Sequence, residues 1–206
     1  MKRIFKGSGV LAVSVTFLFA CASTTLKTVW MDEAYKGGAL KTVLVMGISN
    51  KPAVKRYFED EFVRELKARG TAAIAGYTVI PDEKINDKDF IASESRRLGI
   101  DSVLVTKMVD KKTVETRYPS EIRDSSLNYR GGWHGDTSRG FSSVTPGMVI
   151  QNTVVVLETN LYELNADKPV FSASSEAYLE DSPEPLIRSF VQSMIQELSQ
   201  RKLIKP

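Results

Sequence analysis

Alternating stretches of apolar and polar residues divide most of the chain into segments of strand and helix length. Residues 42–48, TVLVMGI, form a continuous apolar run rich in β-branched residues, which is typical of a strand covered on both faces. From Val54 to Leu66 an apolar residue recurs at every fourth position, which predicts an amphipathic helix that begins near Pro52. Gly70 follows this stripe, as is typical of the end of a helix.

The next segments continue this alternation of strands and helices. Residues 71–80 predict a second strand, Asn86 or Asp87 caps a second predicted helix, and Asp101 begins a third strand that continues toward Tyr118. A βαβαβ order of this kind predicts right-handed crossovers between parallel strands.

The last part of the chain has a different pattern. Residues 149–164 and 169–179 are β segments joined by the polar turn sequence NADK, which predicts an antiparallel hairpin. A third helix is predicted from Pro183, with an apolar stripe formed by Leu186, Ile187, Phe190, Val191, Met194 and Leu198. Together these elements predict a single α/β domain, close to the α+β class, with about five strands in one mixed sheet and three helices.

The first twenty residues have the pattern of a secretory signal peptide. Lys2, Arg3 and Lys6 make the start of the chain positive, and an apolar run follows from Val10 to Ala20. As a helix this run would be about 16 Å long, roughly half of the ~30 Å hydrocarbon core of a bilayer. It is therefore too short for a comfortable transmembrane span and suits the apolar region of a signal peptide.

The end of this signal resembles the lipobox of bacterial lipoproteins. In residues 18–21, LFAC, a small residue precedes the cysteine that such proteins acylate and expose as a new N-terminus. The resemblance implies removal of residues 1–20 and a lipid on Cys21. Residues 21–40 then predict a lipidated, flexible tether, and residues 41–206 the α/β domain. The alternatives are an ordinary secretory signal, in which the cysteine is incidental, and an uncleaved anchor.

The residues after the cysteine bear on the choice of membrane. Lipoproteins of this class carry two or three acyl chains, and each buried CH₂ contributes about 0.8 kcal/mol, so the resemblance implies stable anchoring. Ala22 and Ser23 stand where an aspartate would favour retention at the inner membrane. In a Gram-negative host this resembles the pattern of proteins sent to the outer membrane, with the domain in the periplasm.

Removal of the signal changes the charge of the protein. The chain has 28 basic and 25 acidic residues, and Lys2, Arg3 and Lys6 of the signal account for the difference. The predicted mature chain is therefore neutral, which argues against nucleic acid as a partner. Cys21 is the only cysteine, so its acylation would leave no disulfide, free thiol or thiolate metal ligand. We expect no metal and no other cofactor.

Residues 119–147 show little periodicity and are rich in glycine, arginine and aromatic residues. A loop of this length inside a compact domain is either functional or disordered. Aromatic and arginine side chains are frequent binding anchors, so the candidate interaction residues are Tyr129, Arg130, Trp133, His134, Arg139 and Phe141. The alternative is a hairpin insertion whose aromatic residues pack on the edge of the sheet.

The sequence after Cys21 contains no catalytic signature. His134 is the only histidine, and a triad with Ser138 and Asp136 would lack the G-x-S-x-G elbow, so an exposed loop residue is the favoured interpretation. The acidic residues 59–61 lie on the first predicted helix near basic neighbours, which predicts a solvated, salt-bridged face. We therefore expect that the protein is not an enzyme.

Several stretches resemble a family of small, uncharacterised proteobacterial lipoproteins. These stretches are WMD at 30–32, VLVMG at 43–47, FED at 58–60 and TVVVLETNLY at 153–162. The order of the predicted elements also resembles the N-terminal domain of TolB and of related envelope accessory lipoproteins. The resemblance implies a docking module without catalytic residues.

These observations favour a non-catalytic interaction or assembly module, held at the periplasmic face of the outer membrane by lipid. It would bind an envelope protein through a sheet edge or through residues 119–147. One alternative is a lipoprotein that binds a small molecule or glycan, with Trp133 and Tyr129 as stacking surfaces. A hydrolase that depends on His134 is the third interpretation. The sequence does not indicate the host or the oligomeric state.

Overall fold

A computed structural model describes residues 24–119, 121–124, 142–164, 169–179 and 182–205. The strands in these residues are β1 (Thr24–Met31), β2 (Thr42–Ile48), β3 (Ala72–Ala75), β4 (Ser102–Tyr118), β5 (Glu121–Asp124), β6 (Ser142–Thr145), β7 (Met148–Glu163) and β8 (Phe171–Leu179). The helices are α1 (Pro52–Ala68), α2 (Lys88–Arg97) and α3 (Pro183–Gln200).

Six of the strands form one mixed sheet in the order β1-β8-β7-β4-β2-β3. β2 pairs in parallel with β3 and β4, whereas the pairs β4–β7, β7–β8 and β8–β1 are antiparallel. The predicted α/β domain with one mixed sheet and three helices is thus confirmed, although the sheet has six strands where about five were expected.

Helices cover both faces of the parallel strands. On one face Phe58 and Phe62 of α1 share a core with Val43 and Val45 of β2. On the other face α2 packs against Leu44 and Met46, the alternate side chains of β2. Side chains of β3 and β4 belong to the same cluster. This double burial explains why β2 is apolar along its whole length.

The sequence signals at the helix ends act as expected. The carboxylate of Asp87 caps α2 by accepting a 3.0 Å hydrogen bond from the backbone N–H of Phe90. Gly70 follows α1 with a φ of 74°, a left-handed conformation that favours glycine. Gly47 has a different role, because a Cβ there would lie 2.8 Å from the ring of Phe58. A glycine at this position lets α1 approach β2 closely.

The largest core lies between the sheet and the helices α1 and α3, which pack beside each other. The rings of Phe58 and Phe62 on α1 and of Phe190 on α3 contact one another, with centroids 5.2 to 6.1 Å apart. The predicted apolar stripe of α3 is buried in this core.

The tether expected over residues 21–40 was wrong for residues 24–31, which form β1 at the edge of the sheet. Leu26, Val29 and Met31 point toward the main core. The register shifts between Leu26 and Thr28, so this strand contains a bulge at Lys27. The bulge breaks the alternation of apolar and polar residues, which is the signal by which a strand is recognised in a sequence.

The second predicted strand, residues 71–80, is shorter than expected. β3 ends at Ala75, and 3-10 turns follow at Gly76–Thr78 and Asp82–Lys84. A Cβ at Gly76 would lie 2.8 Å from the carbonyl oxygen of Val45. This close approach of two backbones redirects the chain, and local strand propensity does not reveal it.

β4 and β7 form a long hairpin that extends beyond the rest of the sheet. Their pairing runs from Ser102 opposite Glu163 to Tyr118 opposite Met148. The pairing of β8 with β7 ends where Leu179 lies opposite Thr153. Residues 114–118 and 148–152 therefore form a ribbon without a third described strand, which we call the arm.

Part of the predicted loop at 119–147 is also regular. β5 and β6 pair in antiparallel fashion, with Glu121 opposite Thr145 and Asp124 opposite Ser142. The expectation of an irregular segment was therefore wrong at its two ends, where the polar sequences EIRD and SSVT lack strand periodicity but follow a hairpin already established by β4 and β7. Residues 125–141 lie outside the described residues.

Candidate functional site

The residues singled out from the sequence all lie outside the described part of the chain. These are the lipidation site Cys21 and the candidate interaction residues Tyr129, Arg130, Trp133, His134, Arg139 and Phe141. Their assignment stays a prediction, and the structure neither groups them nor separates them. The surfaces discussed below come from other residues.

One face of β1, β8 and β7 lacks a covering helix among the described residues, and we call it the open face. Along β8 the side chains alternate strictly between buried and partly exposed, and the buried set shares the core of α1 and α3. The alternate set, which includes Ser172, Ser174, Glu176 and Tyr178, points to the open face. α2 packs farther along the sheet, against β2, β3 and β4.

The charged groups of the open face form ion pairs with one another. Glu176 accepts a 2.6 Å hydrogen bond from Lys112 and lies 3.1 Å from the ammonium of Lys27. The hydrogen bond from Lys112, and then that from Lys27, hold the pKa of Glu176 below its ordinary value. A second pair joins Lys107 of β4 to Glu158 of β7 at 3.4 Å. With these two lysines of the adjacent strand β4, the open face is thus polar but close to charge balance.

Aromatic side chains stand among these ion pairs. Trp30 on β1 is 45% exposed and Tyr178 on β8 is 51% exposed. Both belong to the open face, because Trp30 lies opposite Ser172 while the neighbouring residues of β1 face the core. The face thus combines exposed aromatic residues, a residue type enriched at protein interfaces, with charges that compensate one another.

The arm adds apolar surface next to the open face. Three consecutive residues at its end are exposed: Met148 at 55%, Val149 at 56% and Ile150 at 37%. Because successive side chains of a strand point to opposite faces, apolar groups are exposed on both sides of the ribbon. Such a run of exposed apolar residues is unfavourable in water unless it has a function.

A buried carboxylate lies at the ends of the parallel strands. Glu59 of α1 is fully buried, and its Oε1 accepts a 3.0 Å hydrogen bond from the N–H of Gly47 while Oε2 accepts one of 2.7 Å from the N–H of Tyr77. Burial raises the pKa of Glu59, and the two backbone donors oppose this rise. The carboxylate therefore holds α1, the end of β2 and the turn after β3 together.

The solvated acidic face predicted for residues 59–61 was therefore wrong for Glu59 and Glu61, both of which are buried. A signal was available in the spacing. Glu59 lies four residues after Lys55, which is also buried, and three residues before Phe62. That spacing places all three side chains on the inner side of α1, which pairs between surface neighbours do not reveal.

A small cleft lies beside this carboxylate. Its volume is about 110 Å³, and it is formed by the first turns of α1 and by the turns after β3. The buried ammonium of Lys55 lies 2.6 Å from Oδ1 of the exposed Asp82, and this hydrogen bond lowers the pKa of Asp82. Arg56 stacks over the ring of Tyr77 at 5.6 Å. The cationic groups of the cleft thus already have internal partners.

A second cleft, of about 220 Å³, lies between the segment after β1 and the segment after α3. The hydroxyl of Tyr35 donates a 3.0 Å hydrogen bond to the carbonyl of Gly38 at its rim. Burial, followed by the charges of Glu163 and Asp101, raises the pKa of Tyr35. Both clefts are smaller than the roughly 300–1,000 Å³ of typical ligand pockets.

The described ranges contain no group of three or more histidine, cysteine, aspartate or glutamate side chains placed to hold a metal ion. None of the helices in this part of the chain is long and apolar enough to cross a membrane.

Comparisons with known proteins give similarity to solved structures only. No family model matches the chain, and no curated protein does. PelC from Paraburkholderia phytofirmans, solved as a dodecamer, is 15% identical with a TM-score of 0.44 over 89% of this chain and 99% of PelC. A single-residue variant of that dodecamer is 13% identical with a TM-score of 0.43, over 88% of this chain and 96% of the variant. A PDZ domain protein from Parabacteroides distasonis is 14% identical with a TM-score of 0.37, over 84% of this chain and 34% of that protein.

These comparisons correct the resemblance stated from the sequence. The expected family of proteobacterial lipoproteins with a TolB-type N-terminal domain was wrong, because no family model matches and the similar structures are PelC and a PDZ domain protein. The physical reason is that a βαβαβ order is compatible with many sheets. The order of strands in this sheet depends equally on β1 and on the pairing of β4 with β7, and the order of elements along the chain specifies neither.

Proposed function

We propose that this chain is a lipid-anchored protein of the bacterial envelope that binds another protein through its open face. The observation that supports this most is the open face itself, where Trp30 and Tyr178 are exposed on a part of one sheet face that no described helix covers. Aromatic side chains bury much area with little loss of conformational entropy, so they are effective anchors for a partner.

A protein suits this surface better than a small molecule does. The open face extends across three strands, and the two clefts described above are only about 110 and 220 Å³. The ion pairs of Glu176 and Glu158 leave little net charge on the face. We infer that the partner offers a largely uncharged surface with an apolar centre, because a strongly charged partner would gain little here.

The proposal assigns no catalytic role to the described residues. Glu59 is the most deeply buried acid, but both of its carboxylate oxygens accept backbone hydrogen bonds, so it is a structural group. The anchor in the proposal depends on Cys21, and its support is the signal and lipobox pattern of residues 1–21.

Photo-crosslinking in living cells tests the proposed interface. A photoreactive amino acid is placed at Tyr178 on the open face and, as the matched control, at the exposed Gln192 on the outer side of α3. We expect a protein adduct from position 178 that is absent from position 192. Adducts of equal yield at both positions, or none at position 178, would contradict the proposed face.

A pair of variants tests whether the aromatic residues contribute to binding. Trp30→Ser combined with Tyr178→Ser, in a chain without the photoreactive residue, should weaken co-purification of the partner identified by crosslinking at least about tenfold, since each aromatic anchor is worth about 1–3 kcal/mol. Gln192→Ser combined with Gln196→Ser, on the outer side of α3, should leave recovery unchanged.

A further inference from the structure

The start of the described chain and the arm lie at the same end of the sheet. Thr24, the first residue of β1, lies opposite Ala177, which pairs with Val155, which pairs in turn with Lys111. β1 runs from this level toward the opposite end of the sheet. β4 continues from Lys111 in the other direction, through the arm, as far as Tyr118.

The connection to the proposed anchor is shorter than the arm. Cys21 and Thr24 are three residues apart, so their Cα atoms are separated by at most about 11 Å. The arm extends seven residues beyond the level of Thr24, or about 23 Å at 3.3 Å per residue. A lipid on Cys21 therefore holds the membrane surface within reach of the arm and leaves no long spacer between the two.

The exposed side chains of the arm suit a membrane surface. Val114, Met148, Val149 and Ile150 are exposed and apolar, and no described residue covers them. Arg117 and Glu115 are exposed on the same ribbon and form a loose pair at 3.8 Å. Apolar side chains beside an arginine fit the boundary between acyl chains and headgroups, where the cation can remain at the level of the headgroups.

We propose that the arm lies in the interfacial layer of the same membrane that holds Cys21. The proposal rests on the lipid anchor of the proposed function, and it assigns a lipid surface to the arm while the open face is left for the protein partner. The free strand edges of the arm set its depth, because unpaired backbone groups are costly in the hydrocarbon core. The ribbon therefore stays at headgroup depth, and its apolar side chains reach inward.

Depth-dependent fluorescence quenching tests this position. The full processed chain is purified from membranes and reconstituted into vesicles of phosphatidylethanolamine and phosphatidylglycerol. An environment-sensitive thiol label is attached after Ile150→Cys or, as the control, after Gln192→Cys. We expect lipids that carry a quencher near the headgroup to quench the label at position 150 several-fold more strongly than the label at position 192.

Equal quenching at the two positions would overturn the proposal. So would a label at position 150 that is shielded in whole envelopes but unquenched in vesicles, because a protein would then cover the arm. Incorporation of radiolabelled palmitate and photo-crosslinking from position 178 are measured on the same variants in intact cells. Failure of the anchor or of the open face is thereby seen separately from failure of the arm.

A second measurement does not depend on the anchor. In a Cys21→Ser chain from which residues 1–20 are absent, Val149→Gln combined with Ile150→Gln should lower the partition of the chain into these vesicles at least about tenfold, since each substitution removes an apolar side chain from the interface. Gln192→Ser combined with Gln196→Ser is the control. An unchanged partition coefficient in the arm variant would also overturn the proposal.

Discussion

Glu59 is the residue whose surroundings differ most from what its chemistry suggests. An ionised side chain is rarely buried unless strong partners compensate for the loss of water. Here the compensation comes from the backbone N–H groups of Gly47 and Tyr77, which belong to two neighbouring strand ends. These two hydrogen bonds therefore fix the position of α1 relative to the sheet.

Replacing this carboxylate with an amide should destabilise the fold. In Glu59→Gln one of the two backbone donors faces an NH₂ group and loses its acceptor, which should cost about 1–3 kcal/mol of unfolding free energy at about pH 5. Chemical denaturation measures the difference. The matched variant Glu83→Gln, at an exposed position, should change stability by less than about 0.5 kcal/mol. Equal effects of the two variants would contradict the structural role of Glu59.

The same residue gives a pH dependence with a definite sign. Burial raises the pKa of Glu59 above its ordinary value of 4.5, so the folded state holds this proton more tightly than the unfolded state does. The contribution of the group to stability is therefore fully present below pH 4.5 and is lost as the pH rises through the raised pKa. We expect the stability difference between wild type and Glu59→Gln to shrink as the pH increases from about 4 to about 7. Denaturation curves across that range measure it, and a growing difference would contradict this account.

At the scale of elements, the contact between α1 and α3 carries much of the core. Phe190 is fully buried and contacts both Phe58 and Phe62. Phe190→Ala should lower the unfolding free energy by about 3–5 kcal/mol, because the lost contacts leave a cavity. Tyr178→Ala on the open face removes a comparable ring from an exposed site and should cost far less. Comparable losses in the two variants would contradict the assignment of core and surface.

β1 provides a second test at this scale, because it distinguishes a strand from a tether. Val29 points into the main core, so Val29→Asp should place a carboxylate against apolar side chains and release the strand from β8. Relative to the wild type, amide hydrogen exchange should then become faster in β8 and stay unchanged in β3, which lies at the other edge of the sheet. In a flexible tether the same substitution would leave exchange unchanged in both strands.

The sequence predicts elements where one physical signal dominates. The continuous apolar run of β2 and the stripe of α3 each identify an element because burial selects their side chains directly. β1 and β3 are harder to recognise. The bulge at Lys27 interrupts the periodicity of one, and the close backbone contact at Gly76 shortens the other. Both effects depend on neighbours that are distant in the chain.

At the scale of the whole molecule, the open face is a property of strand order. Trp30 shares one exposed face with Tyr178 only because β1 adds to β8 at the edge of the sheet. The alternation of apolar and polar residues in 169–179 predicts a strand with one buried face. It does not predict which helix covers that face or whether anything covers the other. The candidate interaction surface could therefore not be predicted from local pattern, whereas the α/β class could.

The proposed anchor also belongs to the scale of the whole molecule, and one substitution tests it. Cys21→Ser should prevent acylation and leave a chain that is unprocessed or released from the membrane. Labelled palmitate and fractionation of the envelope measure the two effects. Ser23→Ala, which keeps the cysteine, serves as the control. Normal processing and retention of the Cys21→Ser chain would contradict a lipid anchor.

The edge position of β1 has a mechanical consequence. If Cys21 is fixed in a membrane and a partner holds the open face, tension between the two acts along the axis of β1. The hydrogen bonds to β8 lie across that axis, so they are loaded together in shear and do not open one at a time. The anchored end of the chain would then stay joined to the fold. The same force applied perpendicular to β1 would break these hydrogen bonds one after another.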